Sequence, residues 1–316
     1  MRPLSAAAIT TVRLIAAVAG PAAGANPIIR ESSEGMHTDG PPLFCGTALG
    51  ERIERAESKL MSAATGAAKE RNAGGRGFVI PVAGGVACFA EANSPFNKVA
   101  GLGFGGVPSD AALDEIERAY AARGAAVQVE LAHLTDPELA TTLTGRGYQL
   151  VSFENVLGRP LAGAPDRVAP PGIEIRPSGD DEFGAWNDVI VDGFAHADTE
   201  GVPSHEEFPR EILDRAQRDM AAVGAARYVA LHDGVIAGGA SMRLTDGVAQ
   251  LTGAATAPAH RRLGIQTALL TARLADAAAT CDIAVITTQP ASKSQQNAQR
   301  QGFHLLYTRT VLVKQP

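Results

Sequence analysis

Residues Ala254–Ala268, A-A-T-A-P-A-H-R-R-L-G-I-Q-T-A, bring together the residue types that bind an anion. A short apolar run ends at Pro258, a basic turn with one glycine follows, and Gln266-Thr267-Ala268-Leu269-Leu270 opens a helix. Unpaired backbone N–H groups at a helix start, next to a glycine that lets the chain come close, form a site suited to a pyrophosphate. Plain helix capping at a strand–helix junction is the alternative use of the same residues. A second set of reactive side chains lies in D-G-F-A-H-A-D-T-E-G-V-P-S-H-E-E-F, Asp192 to Phe208. Its His196, Asp198, Glu200, His205, Glu206 and Glu207 could move protons or grip a cation, or simply form a solvated loop capped by Ser204. His196, Asp198 and His205 are poorly spaced for a metal, and no metal site is expected. The chain's three cysteines, Cys45, Cys88 and Cys281, are widely separated and read as buried free thiols.

The elements that would position these groups repeat within the chain. With Gly147 laid on Gly302, R-G-Y-Q-L-V-S-F-E-N-V-L-G-R (Arg146–Arg159) falls without a gap on Q-G-F-H-L-L-Y-T-R-T-V-L-V-K (Gln301–Lys314). On the same alignment Val99-Ala100-Gly101 meets Ala254-Ala255-Thr256. The segment Ser109–Gly124, with Ser109 or Asp110 as N-cap, meets the helix after the basic turn. Ile283–Thr288 is short, apolar and β-branched, as a buried strand is, and Val127–Leu131 lies close to it on the alignment. The chain therefore reads as tandem copies of one α/β (α+β) unit, each a mixed, mostly antiparallel twisted sheet flanked by helices. The expected limits are 1–39 for a leader, 40–161 for the first copy, 162–172 for a Pro- and Gly-rich linker and 173–316 for the second copy.

Composition narrows the partners. The chain has 316 residues, 45% hydrophobic and 20% charged, with a net charge of -6. That balance belongs to a globular protein and argues against nucleic acid, because no face is loaded with Lys and Arg. No run is long and apolar enough to span a bilayer. In the leader, Arg2 and Arg13 precede L-I-A-A-V-A-G-P-A-A-G-A, and Ala23-Gly24-Ala25 resembles a cleavage site for export. A disordered leader on a cytoplasmic protein is the expectation set against that one, since no periodic apolar face is present to dock.

The arginine–two residues–glycine spacing from Arg261 to Gly264 resembles the acyl-CoA pyrophosphate loop of the GNAT acyltransferases, written Q/R-x-x-G-x-G/A. The order strand, turn, helix, strand, helix, Gly-Phe, strand, from about Ala249 to the C-terminus, is similar to the same family. The resemblance implies an acetyl-CoA-dependent N-acyltransferase acting on a small-molecule amine, as a monomer or homodimer. It implies that Arg261, Arg262, Leu263, Gly264, Ile265, Gln266, Thr267 and Ala268 cradle the pyrophosphate, with Arg300 nearby. Ala255, Thr256 and Ala257 would dock the pantetheine arm, and Ser294 and Asn297 would hold it. Gln266 stands where the family has a small residue, and a larger side chain is tolerated there if it points outward. Gln250 falls where several members carry a glutamate base, and Ala298 where others carry a tyrosine acid. Glutamine cannot accept a proton at neutral pH. His196 and Glu200 on the acceptor side, and Tyr307 on the last strand, are the replacements expected for proton transfer. The first copy has G-G-V-P-S-D-A (Gly105–Ala111) in place of the basic turn, with Pro108 where an amide is needed, and reads as a degenerate partner. Loss of the usual Glu and Tyr leaves a rival expectation, a non-catalytic acyl-CoA-binding or regulatory module.

Overall fold

The computed structural model describes residues 43–164, 166–167, 169–195 and 201–316. The expected leader and His196, Asp198 and Glu200 lie outside the described residues. The first half comprises α1 (Thr47–Arg71), β1 (Phe78–Val82), β2 (Gly85–Phe89), β3 (Val99–Ala100), α2 (Asp110–Ala121), β4 (Val127–Ala132), α3 (Pro137–Gly145) and β5 (Gln149–Pro160). The second comprises β6 (Ile173–Pro177), α4 (Phe183–Ala195), α5 (Arg210–Ala222), β7 (Ala226–His232), β8 (Val235–Thr245), β9 (Val248–Gln250), β10 (Ala254–Thr256), α6 (Ile265–Ala277), β11 (Ile283–Thr288), α7 (Lys293–Arg300) and β12 (His304–Lys314).

Local chemistry sets several boundaries. Ser109 accepts from the Ala112 amide to start α2, Asp136 from Glu138 to start α3, and Ser292 from Gln295 to start α7. Pro137 occupies the first turn of α3, where its missing N–H costs nothing. The internal repeat holds element by element: β3 answers to β10, α2 to α6, β4 to β11, α3 to α7 and β5 to β12.

The two copies are mixed sheets flanked by helices, but they do not keep separate sheets. Strand order runs β1-β2-β3-β4-β12-β5-β11-β9-β8-β7-β6, with β10 paired to β8. The last strand of each half is thus exchanged: β12 lies between β4 and β5, while β5 lies between β12 and β11. Arg309 of β12 stands opposite both Ala132 and Glu154. The repeat explains why exchange is tolerated. Each last strand carries nearly the same alternation, so either one presents its apolar face correctly to either neighbour.

Helix α1 crosses the seam on one face of the joined sheet. Ile53 and Ala56 pack on Ala132, Val156, Val248, Ile283, Val285 and Tyr307, which come from both halves. Further along, Leu60, Met61, Ala64 and Ala68 share a cluster with Ala216 and Met220 of α5. Arg71 closes that contact on Asp219 at 2.9 Å and Glu91 at 2.5 Å. Helix α6 packs on the opposite face, because its cluster takes Ala249 and Ala284, the alternate residues of the strands that α1 covers.

Candidate functional site

The basic turn forms as a one-turn 3-10 segment, Pro258–His260, followed by two residues of left-handed backbone, Arg262 (φ 66) and Gly264 (φ 80). Gly264 is the N-cap of α6 and provides no side chain to close the helix. Among the described residues, the first-turn amides of Ile265, Gln266 and Thr267 have no acceptor; the first bond of the helix is Ala268 N–H to Gly264 O at 3.0 Å. The first copy differs here, since Ser109 Oγ already accepts from Ala112 at the matching helix start. One half therefore leaves the amides of its helix start open and the other caps one of them.

Beside this turn the sheet forks. Leu251 N–H donates to Val285 O at 2.9 Å, and beyond it the chain leaves β11 through Gly253 (φ 42) to pair with β8. Ser241 N–H donates to Gly253 O and Ala257 N–H to Ala237 O. Antiparallel alternation then turns the peptide groups of Ala255 toward β8 as well, and those of Ala254 and Thr256 toward the fork. This corrects part of the expected docking strand: Thr256 offers its backbone, whereas Ala255 and Ala257 have theirs committed to β8. The Ala257 carbonyl also accepts from His260.

Gln266 does not point outward. Its Nε2 donates to Thr256 Oγ1 at 2.9 Å, tying the helix start to the fork edge, because an unpartnered amide beside a polar strand side chain gains a hydrogen bond by folding inward. On α7, Ser294 and Arg300 are exposed and Asn297 is half-buried. Gln295, which the sequence reading passed over, accepts from Asn155 Nδ2 at 3.2 Å and from the Ala291 amide at 2.8 Å.

The acceptor-side segment is framed by described residues. The Cα of Gly193 lies against Ala255, and that of Gly201 against Ser292, so closely that an added Cβ would overlap either neighbour. Val202 N–H donates to Pro290 O at 3.1 Å. His205 and Glu206 reach the other half of the chain: Gln128 of β4 contacts His205 Nε2 at 3.3 Å and donates to Glu206 Oε1 at 3.0 Å. Tyr307, expected as an acid, is 1% exposed, and its hydroxyl donates to Glu54 Oε1 at 2.7 Å. Burial and the Glu54 carboxylate push its hydroxyl well above the usual tyrosine range. That makes it a buried prop for Glu54 rather than a ready proton donor.

What the sequence did not reveal is a buried cluster at the seam. Gln250, at the fork apex, donates from Nε2 to Glu57 Oε2 of α1 at 3.0 Å. Around that pair, Arg309 donates to Glu54 at 2.7 Å and Lys98 to Glu130 at 2.5 Å. Arg309 also stands 3.6 Å from each of Glu130 and Glu154. Burial raises the Glu57 carboxyl above the ordinary carboxylate range against the pull of Arg309 and Lys98. Burial and the neighbouring Glu130 push Glu154 up to about 7. Glu130 goes the other way, because Lys98 and Arg309 outweigh its own burial. Among the described residues, Glu54 Oε2, Glu130 Oε2, Gln250 Oε1 and His205 Nδ1 are buried without a hydrogen-bond partner. The sequence offered only one signal for this site, the polar residues Gln128, Glu130, Glu154 and Arg309 interrupting otherwise apolar strands.

The three cysteines are free. Among the described residues no His, Cys, Asp or Glu group is placed to hold a metal ion, and no helix is long and apolar enough to cross a membrane.

Residues 193–303 match the family of acetyltransferases designated GNAT. None of the curated proteins matches the chain. Among solved structures it is similar to a GCN5-related N-acetyltransferase from Kribbella flavida, at 20% identity and a TM-score of 0.57 over 80% of this chain and 95% of that one. It is also similar to a tandem GNAT protein from the clavulanic acid biosynthesis pathway, solved without acetyl-CoA, at 14% identity and a TM-score of 0.54 over 87% of this chain and 97% of that one. At such identities the likeness is one of fold, and its coverage extends over both halves. The segment 193–303 contains the open helix start, the fork and β11, so the match falls on the geometry described above. Residues 193–303 thus match a GNAT acetyltransferase domain, in a chain that shares the fold of a tandem GNAT protein.

Proposed function

We propose that the protein is an acetyl-CoA-dependent N-acyltransferase that acetylates the amine of a small molecule by direct attack in a ternary complex. The observation that carries this reading is the open start of α6 beside the forked strands. Acetyl-CoA, when bound, supplies the activated acyl group. Ile265, Gln266 and Thr267 amides would hold its pyrophosphate, helped by the positive end of the helix. Arg261 and Arg262 add positive charge within that turn. The outward peptide groups of Ala254 and Thr256 would pair with the amides of the pantetheine arm, directing it toward Leu251 and the fork apex. A backbone N–H there can stabilise the developing oxyanion, a contribution of roughly 3–4 kcal/mol. A protonated amine must also give up a proton before it can attack. The net charge of -6 suits a cationic small molecule better than a nucleic acid.

A non-catalytic acyl-CoA-binding module is the second reading, favoured by Gln250 and by Ala298, which is fully buried in the core. The two part on turnover. Purified protein given acetyl-CoA and a panel of primary amines should release free thiol only in the presence of an amine. Tight acetyl-CoA binding with no thiol release across the panel would establish the non-catalytic module instead.

A further inference from the structure

We propose that the acceptor site is a chamber shared by both halves, in which Glu57 takes the proton of the attacking amine and Glu154 holds a second ammonium group, so that the acceptor is a small diamine. This rests on the acyltransferase reading and gives the first half a direct part in the chemistry.

The side-chain cluster that would line this chamber lies on the α1 face of the sheet, at the apex of the fork, where the acyl end of a docked pantetheine arm would arrive. Its charges do not balance internally. Glu54 is matched by Arg309, and Glu130 by Lys98, each through a hydrogen-bonded ion pair. Among the described residues, Glu57 has only the neutral amide of Gln250 as a hydrogen-bond partner. Glu154 has Arg309 at 3.6 Å, beyond hydrogen-bond reach and already bonded to Glu54. Glu206, held by Gln128, adds further negative charge. Two carboxylates are thus left without a cation of their own in a place where burying them is costly.

An independent feature points to a missing ligand. Gln250 is 6% exposed, yet its Oε1 has no partner, while its Nε2 is fixed on Glu57. The Oε2 atom of Glu54, in a side chain 1% exposed, also has no hydrogen bond among the described residues, and Glu130 Oε2 has only Arg309 Nη1 at 3.6 Å. Two buried acceptors without a hydrogen bond and two carboxylates without a hydrogen-bonded cation, around one apex, suit a donor-rich cation, and an ammonium group has three donors and no acceptor. The raised Glu57 and Glu154 carboxyls agree, since a cation between them would restore their ionised forms.

The step balances as follows in atoms and charge. Glu57 takes one proton from the ammonium, and the freed lone pair forms the N–C bond to the acyl carbon as the C–S bond breaks. The electron pair of that bond leaves on sulfur, and the second amine proton neutralises the thiolate. Glu57 returns its proton to solvent. Gln250 keeps the Glu57 carboxylate aimed at the apex and replaces, by position, a base it cannot itself be.

The test uses the full chain with acetyl-CoA, 1,4-diaminobutane and 1-aminobutane, comparing native protein with Glu57→Gln, Glu57→Asp and Glu154→Gln. All four proteins should bind acetyl-CoA with Kd values within about twofold, which also reports that they fold. Native protein should favour the diamine at least tenfold in kcat/KM. Glu57→Gln should lose about 100-fold in kcat on both amines, in line with general-base catalysis, and Glu57→Asp should recover part of it. Glu154→Gln should raise KM for the diamine alone and remove the preference. Equal use of both amines by native protein, or native-like kcat in Glu57→Gln, would overturn the proposal while leaving the acyltransferase reading intact. Acetyl-CoA binding with neither amine acetylated would overturn the diamine assignment. Failure of native protein to bind acetyl-CoA would remove the acyltransferase reading itself.

Discussion

Gly264→Val is expected to weaken acetyl-CoA binding by 100-fold or more in a calorimetric titration. Gly264 sits at φ 80, and an added Cβ would stand 2.9 Å from Pro170 Cγ of the linker. The left-handed region costs a β-branched residue about 1–2 kcal/mol even without a clash. The turn must therefore flatten, and the amides of Ile265, Gln266 and Thr267 rotate away from a common focus. Each hydrogen bond from such an amide to a charged phosphate is worth about 1.5–3 kcal/mol, so loss of two gives the stated factor. Gly224→Val is the matched control. Gly224 has the same left-handed backbone (φ 82) with open space around its Cβ position, at the α5–β7 turn. It should lose similar stability and keep its affinity. Equal loss of affinity in both variants would show that general strain, and not the anion site, is responsible.

Arg309→Ala is expected to cost about 3–5 kcal/mol of stability, the range for breaking a buried ion pair by removing one partner. The Arg309 side chain is 3% exposed, bonds Glu54 at 2.7 Å and stands within 3.6 Å of Glu130 and Glu154. Without it, Glu130 and Glu154 lose a cation that holds their carboxyls down, and their folded-state pKa values rise. Groups with raised folded pKa values contribute stability that is complete below the unfolded value and is lost as pH climbs through the folded one. The deficit of the variant should therefore be largest near pH 8 and shrink toward pH 5. In native protein Glu130 acts in the opposite sense: its lowered pKa gives stability above the ordinary carboxylate range that is lost on acidification. Urea unfolding of both proteins at pH 5 and pH 8 measures this. A deficit that is the same at both values, or larger at pH 5, would contradict the electrostatic role assigned to Arg309.

The features legible in the sequence are those set by short-range chemistry. Ser109 as a cap, the Gly264 turn opening α6, and the match of Arg146–Arg159 to Gln301–Lys314 depend on neighbouring residues or on a repeated pattern. The exchange of β5 and β12 could not be read the same way. The repeat that identified them as equivalent strands also makes them interchangeable, so alternation alone does not say which sheet receives which. The Glu57–Gln250 bond joins residues 193 positions apart, across a seam that exists only because α1 lies over both halves. Glu57 reads locally as one more charged residue on an amphipathic helix. Tyr307 failed as an acid for a related reason: its partner, Glu54, comes from the same helix and is invisible from the last strand. Gln266 turns inward because Thr256, on a different element, offers its side-chain amide a hydrogen bond that local sequence does not reveal.

Amide hydrogen exchange with and without saturating acetyl-CoA tests the central claim most directly, because the site is made of backbone donors. Exchange should slow at Ile265, Gln266 and Thr267 and at Ala254 and Thr256, while the Ser109–Leu113 helix start of the first copy stays unchanged. Acetyl-CoA binding that leaves Ile265–Thr267 exchanging at the free rate would show that the pyrophosphate lies elsewhere and would contradict the account.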